Sequence, residues 1–372
     1  MVNNICANLL SLSVGIIGGA DGPTTIVVYD RSLFEIISVV LICTAAAIIL
    51  QIIFHEGGHL IFGLLSGYTF LSFRVFNLMI AKTKEGIGLK KFSLAGTGGQ
   101  CIMRPPELKE DGRMPYLMYN LGGVLMNLIT AAICLAIFLS WGGSLWVETL
   151  LLELVWIGIV FGLLNGIPFS TKVMVNDGRN ILSMMKNKEA VRAFWLGMES
   201  VARVSDGVRI RDMPEEWFRL PSDEDMKDHL AATIAVLACN RALDRMDFEE
   251  TKRLGSKIIS DSSGALGLYK AFISMDLMYC ELMGENRKEV LGKYQTKDIE
   301  KIKKAMAKHM PVLRTQYVYE LLNNRDEKAA ELALEKFEKA AKNYPYSTDA
   351  ESERELIEYA RQRYEHTVQG DT

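Results

Sequence analysis

His55 and His59 enclose Glu56, Gly57 and Gly58 in an HExxH pentapeptide. On a helix, residues four apart share a face, so both imidazoles can reach one metal ion. Glu56 follows His55 directly and can take a proton from a water at that metal. Two of the chain's five histidines fall in this pentapeptide. Soluble zinc peptidases carry the motif on an amphipathic helix. Here residues 33–54, just ahead of it, hold a single charge, Glu35, and residues 60–65 are almost wholly apolar. Those flanks read as a membrane span. Ionisable side chains inside a membrane are costly and mark function. A zinc site in lipid suggests hydrolysis of peptide bonds within the bilayer.

The elements that must position this motif are also apolar. Residues 115–140 and 145–167 qualify as two further spans, the second carrying Glu148 and Glu153 near its outer end. Buried helices of a soluble protein can be equally apolar, but three such runs within 140 residues favour a membrane core. The loop between spans one and two holds Arg74, Lys82, Lys84, Lys90, Lys91, Arg104, Lys109 and Arg113, whereas residues 141–144 hold no basic residue. Lys172, Arg179, Lys186, Lys188 and Arg192 follow span three. The positive-inside rule then places the first loop and the C-terminal region in the cytoplasm and the N-terminus outside. Residues 68–103 mix Phe, Val and Ile with Gly86, Gly88, Gly96, Gly98 and Gly99, which predicts short strands and a glycine-rich turn.

Composition excludes some classes. Hydrophobic residues make up 49% of the 372 and concentrate in the first half. The net charge of −3, with no basic cluster, gives no nucleic-acid partner. Six scattered cysteines (Cys6, Cys43, Cys101, Cys134, Cys239, Cys280) form neither a disulfide framework nor a cysteine zinc site. After about residue 179 the chain alternates charged and apolar residues at helical spacing, over 223–246, 248–259, 266–283, 296–309 and 329–343. Residues 329–345 resemble the second helix of a tetratricopeptide repeat. A helical array is expected, a plain bundle being the alternative. His229, His309 and His366 read as solvated, and residues 214–221, with Trp217 and Phe218, as a linker docked on an apolar surface. Near the N-terminus, Gly15-Ile-Ile-Gly-Gly-Ala-Asp21-Gly-Pro-Thr24 resembles a motif of the membrane subunit of sodium-pumping decarboxylases. It is read as a glycine-broken element at, or dipping into, the outer face.

Span two contains Asn120-Leu-Gly-Gly-Val-Leu-Met-Asn127, whose amides need partners and read as glue between helices or as site groups. Span three ends in Asn165-Gly-Ile-Pro168, followed by Asn176-Asp177-Gly178. With the HExxH these segments resemble the site-2 protease family of intramembrane zinc metallopeptidases, over residues 33–185. Gly98-Gly-Gln-Cys-Ile-Met103 is similar to that family's glycine-glycine strand. Gly123-Val-Leu-Met-Asn127 is similar to its Gly-Pro-x-x-Asn helix, with Val124 in place of proline. Asn165, Pro168 and Asp177-Gly178 are similar to its final segment, with a longer Asn165–Asp177 interval. No PDZ-like insertion lies between the spans.

The resemblance implies a mainly α protein. Residues 1–31 form a glycine-broken segment. Residues 32–185 form a three-span zinc metalloprotease core with a small glycine-rich β element. Residues 186–372 form a cytoplasmic helical, tetratricopeptide-like domain. It implies one Zn2+ per chain on His55, His59 and Asp177, three protein ligands that leave one position open. Glu56 would be the general base, and Asn165 or Asn127 would donate to the oxyanion. Gly98, Gly99, Gln100 and Cys101 would pair with an unwound substrate strand, or else only shape a turn. The expected substrate is a membrane-spanning protein or peptide, cut in a bacterial-type cell membrane, with a further protein partner on the C-terminal array. The competing reading is a non-catalytic membrane adaptor that binds partners through its helices.

Overall fold

The computed structural model describes residues 12–19, 22–29, 33–83, 86–94, 97–171 and 174–370, the first two stretches as backbone only. Strands β1 (Leu12–Gly19) and β2 (Gly22–Tyr29) pair antiparallel, with Gly19 opposite Gly22. Val14, Ile16, Ile26, Val27 and Val28 are β-branched and favour extended chain, and the two strands are separated at the glycines of the expected glycine-broken element. Ala20 and Asp21 of the decarboxylase-like motif, and Cys6, lie outside the described residues.

Helix α1 (Leu33–Leu65) carries the HExxH. It ends at Gly67, whose φ of 86° is the left-handed geometry that closes a helix, with Tyr68 N–H bonded back to Gly63 O. The sheet follows as β3 (Thr69–Val75), β4 (Leu78–Thr83), β5 (Gly86–Lys91) and β6 (Gly99–Arg104), antiparallel in the order β5-β4-β3-β6. Met79 and Ala81 point inward and Leu78 and Ile80 outward, the period of two expected of a one-sided sheet. Then come α2 (Tyr116–Ser140) and α3 (Leu145–Gly166). With α1 these are the three described helices long and apolar enough to cross a membrane. Their length and composition, with Leu41, Ile133 and Trp156 exposed, fit lipid-facing surfaces.

Helix α4 (Asp177–Lys186) is capped by Asn176, whose Oδ1 accepts from Arg179 N–H. Helix α5 (Lys188–Ser205) and a 3₁₀ turn at Glu215–Phe218 follow. The rest is helical: α6 (Ala231–Asp244), α7 (Phe248–Ile259), α8 (Gly267–Leu282), α9 (Lys288–Lys293), α10 (Lys297–Ala305), α11 (Met310–Val318), α12 (Glu327–Ala341) and α13 (Ser347–Gly370). Helix α6 packs on α7, α7 on α8, and α11 on α12 and α13. Trp217 meets Trp195 edge-on and Phe218 is buried beneath Arg241, so residues 214–221 do dock on an apolar surface.

Two histidine expectations are corrected. His229 is buried and meets Asn180 Oδ1 at 3.0 Å, and His309 is buried and meets Ser93 O at 2.9 Å. Burial pushes both pKa values down, with Asp228 partly opposing it at His229 and the Ser93 bond at His309. His366 is exposed, as expected.

The chain divides into two compact units, Met1–Gly58 with Gly123–Asn165, and His59–Gly122 with Gly166–Thr372. In the first unit, apolar side chains such as Val39 and Ala47 are buried and Cys43 reaches Trp146 O. In the second, the C-terminal core gathers Met278, Tyr279, Leu313, Val318 and Phe337.

Candidate metal centre

His55 and His59 stand one turn apart on α1, both buried, with Glu56 buried beside His55. Each imidazole is held from behind through Nδ1. His59 Nδ1 lies 2.7 Å from the main-chain oxygen of Tyr119. A carbonyl can only accept, so Nδ1 carries the proton and Nε2 keeps its lone pair. Tyr119 is fixed in turn: its hydroxyl donates to Cys101 O at 2.6 Å and its ring stacks on Tyr68. Gly63 makes room for this packing, because a Cβ there would press on Met103 and the Tyr119 ring.

His55 Nδ1 lies 2.7 Å from Asn127 Oδ1. The amide's orientation is settled by its other end, where Nδ2 donates to Gln51 O at 3.0 Å and Gln51 Oε1 at 2.7 Å. Oδ1 therefore accepts from His55, again leaving Nε2 as the lone-pair nitrogen. Gly123 brings α2 against the ring: a Cβ at 123 would lie 2.5–2.7 Å from three ring atoms of His55. Gly123 of span two thus serves close approach to a histidine.

Asp177 is brought in by a reversal of the chain. Helix α3 stops at Gly166 and Pro168 cannot continue it. The chain folds back through a bridge between Ser170 and Val175, and Asn176 Nδ2 donates to Ile167 O. Asp177 then opens α4. Gly178 lies so close to Gly166 O that a Cβ could not be placed there, so the Asp-Gly pair is required by the reversal.

Asp177 Oδ2 and His59 Nε2 are 3.4 Å apart. One donor atom each from His55, His59 and Asp177 lies within 4.8 Å of the other two. With the ring neutral, an Nε2 lone pair facing a carboxylate oxygen is an arrangement that a cation could bridge. Two ligands bound at about 2.0–2.2 Å in a tetrahedral zinc site stand about 3.3–3.6 Å apart. The donor set of two neutral imidazoles and one carboxylate, and the 3.4 Å spacing of His59 and Asp177, fit zinc.

The remaining expected residues fall in several places. Asn165 ends span three, half-buried, with Nδ2 donating to Phe161 O. Asn127 turns its amide to His55 and Gln51. Gly99, Gln100 and Cys101 lie in β6, an edge strand of the sheet, and Gly98 precedes them with its carbonyl accepting from Phe76 N–H. Tyr119 holds the Cys101 carbonyl. Two residues escaped sequence reasoning. Gln51 left a signal, as an amide four residues before His55 in an apolar run. Tyr119 left none, because it acts through its main chain.

The family model of peptidase family M50 matches residues 43–313. That stretch includes the HExxH, the sheet, all of α2 and α3, and Asp177. No curated protein and no solved structure matches the chain.

Proposed function

The chain belongs to peptidase family M50, and on that premise we propose that it is an intramembrane zinc endopeptidase acting on a membrane-spanning or membrane-tethered polypeptide. The observation that carries this reading is the convergence of His55, His59 and Asp177 donor atoms beside buried Glu56. A zinc ion bound there would supply Lewis acidity toward water and the scissile carbonyl. The chain's own residues do the rest. Tyr119 O and Asn127 Oδ1 keep both imidazoles in the tautomer that presents Nε2. Glu56 takes the proton of the attacking water and returns it to the leaving amine. Asn165 is the amide we assign to the developing oxyanion, and Asn127 we assign to positioning His55.

A peptide bond in a transmembrane helix is shielded by its own hydrogen bonds and must be unwound before attack. The edge strand β6 supplies main-chain groups for an unwound segment to pair with, and Gly98, Gly99, Gln100 and Cys101 are its proposed contacts. Eight basic residues between spans one and two, against none in residues 141–144, support a cytoplasmic sheet and C-terminal region, with the N-terminus outside. The helices after residue 186 are the proposed docking region for a protein partner.

The test compares the membrane proteomes of cells carrying wild-type protein and Glu56→Gln. One or more single-span proteins should accumulate uncut in the variant and be processed in the wild type. Identical processing in both strains would favour the adaptor reading.

A further inference from the structure

Gln51 sits on α1 one turn before His55, and none of its surface is exposed. A primary amide in the middle of a membrane span is costly unless each of its polar atoms is met. Here each is met, and in a fixed order. Gln51 Nε2 donates to Leu154 O on α3 at 2.7 Å. Gln51 Oε1 accepts from Asn127 Nδ2 at 2.7 Å, with Thr130 Oγ1 at 3.3 Å. Asn127 Oδ1 faces His55 Nδ1 at 2.7 Å. The order has one direction. A main-chain carbonyl cannot donate, so Leu154 O fixes which end of the Gln51 amide faces it. That fixes the Asn127 amide, and Asn127 fixes the proton on His55 Nδ1. Gly158 leaves the approach open: a Cβ there would lie 2.6 Å from Gln51 Nε2.

We infer that Gln51 is a positioning residue for the metal centre, which locks the tautomer and ring orientation of His55 through Asn127 from the carbonyl of Leu154. The inference rests on the reading of His55 as a metal ligand. Groups behind a ligating histidine set its tautomer and basicity, and their loss typically costs 10–100-fold in metal affinity. Plain helix-to-helix glue would share the burial and the bonds to α2 and α3. It would leave the state of the His55 ring unchanged when broken.

The test uses the full-length chain in detergent, with two readouts. One is zinc affinity by competition with a chromophoric chelator. The other is the ring ¹⁵N shifts of His55 in the metal-free protein, assigned by the signal lost in His55→Ala. Gln51→Met keeps the length and removes both polar ends. It should bind zinc about 10–100-fold more weakly and give His55 a mixture of tautomers. Gln51→Glu, neutral in this setting, keeps an oxygen for Asn127 and a hydroxyl for Leu154 O. It should stay within about threefold of wild type, on the scale of those losses. Asn127→Ala should weaken zinc as Gln51→Met does, and the double variant should be no weaker than Asn127→Ala alone, because the two act in series. Should Gln51→Met not accumulate, Gly158→Ala serves in its place, since its Cβ would lie 2.6 Å from Gln51 Nε2 and 2.9 Å from Asn127 O and so disturb the Gln51–Asn127 pair from the side of α3. Wild-type affinity and an unchanged His55 ring in Gln51→Met overturn the inference, as does a folded Gln51→Glu as weak as Gln51→Met. A wild-type chain that takes no zinc defeats instead the reading of His55 as a ligand, and the ring shifts then still test the lock.

Discussion

The membrane-span region and the C-terminal helical region bury polar groups in opposite ways. Along α1, α2 and α3 the exposed residues are Leu41, Ile42, Ile133, Trp156 and Leu164, while Gln51, His55, Glu56 and Asn127 are buried. In the C-terminal region the buried polar groups include ion pairs. Arg314, fully buried, is 2.6 Å from Asp276 and 3.2 Å from Glu353 and lies over the Tyr279 ring, and Arg209 joins Asp244 to Glu355. Of the first kind, Gln51, Asn127 and His55 form a directed chain of two amides and one imidazole that leads from Leu154 O to a proposed ligand. The second consists of opposite charges set against one another, Arg314 between two carboxylates and Arg209 between two others. Burial alone therefore does not mark function, whereas a run of directed bonds that leads to a proposed ligand does.

The sharpest way to break this comparison is to change one carboxylate in each region. Glu56→Gln should lower turnover by about 10²–10⁴-fold, the usual weight of a general base, and leave zinc content and the unfolding midpoint unchanged. A variant that cleaves at the wild-type rate removes Glu56 from the chemistry. In the C-terminal region, Asp276→Ala takes one of two carboxylates from fully buried Arg314 and leaves Glu353 to face it alone. The expected loss is about 3–5 kcal/mol, read by denaturant unfolding, with no change in zinc per folded chain. Destabilisation under about 1 kcal/mol would mean that this pair behaves as a surface ion pair does.

A third effect, smaller, is in pH. Burial raises the pKa of Asp349 from 3.8 to about 7 and that of Glu353 from 4.5 to about 7, with nearby carboxylates adding to it and Arg209 and Arg314 opposing. Between about pH 4 and pH 7 the folded chain then binds more protons than the unfolded one. Their contribution to stability is complete below the unfolded values and is lost as pH rises through the folded ones. Thermal scans should show the C-terminal region loosening as pH rises through that window, and Asp349→Asn with Glu353→Gln should flatten the dependence. A midpoint that climbs across the same window in the wild type contradicts it. The smallest effect expected is that of Glu153→Ala on zinc content, namely none, since that residue belongs to neither kind of network.

Much of the core was legible because its signals are local. The HExxH needs only helical spacing, and the spans need only length and apolarity. Pro168 forced the helix end that brings Asp177 back. The pairing of β1 with β2 is not written in the glycines of residues 15–22, which mark a break in the chain but not the register of the strands beside it. His229 and His309 were misjudged because a charged neighbourhood in sequence says nothing of a partner far along the chain, and Ser93 lies 216 residues from His309. The task of Asn127 was hidden for the same reason, as only a folded chain sets its amide between Gln51 and His55.

The central claim is that His55, His59 and Asp177 hold one metal ion. Elemental analysis of zinc in purified full-length protein tests it most directly, with wild type, His59→Ala, Asp177→Ala and Glu153→Ala prepared side by side. The account predicts close to one zinc per chain in wild type and Glu153→Ala, and loss of most of it in both His59→Ala and Asp177→Ala, since two remaining ligands hold zinc poorly. Wild-type zinc in Asp177→Ala would contradict it.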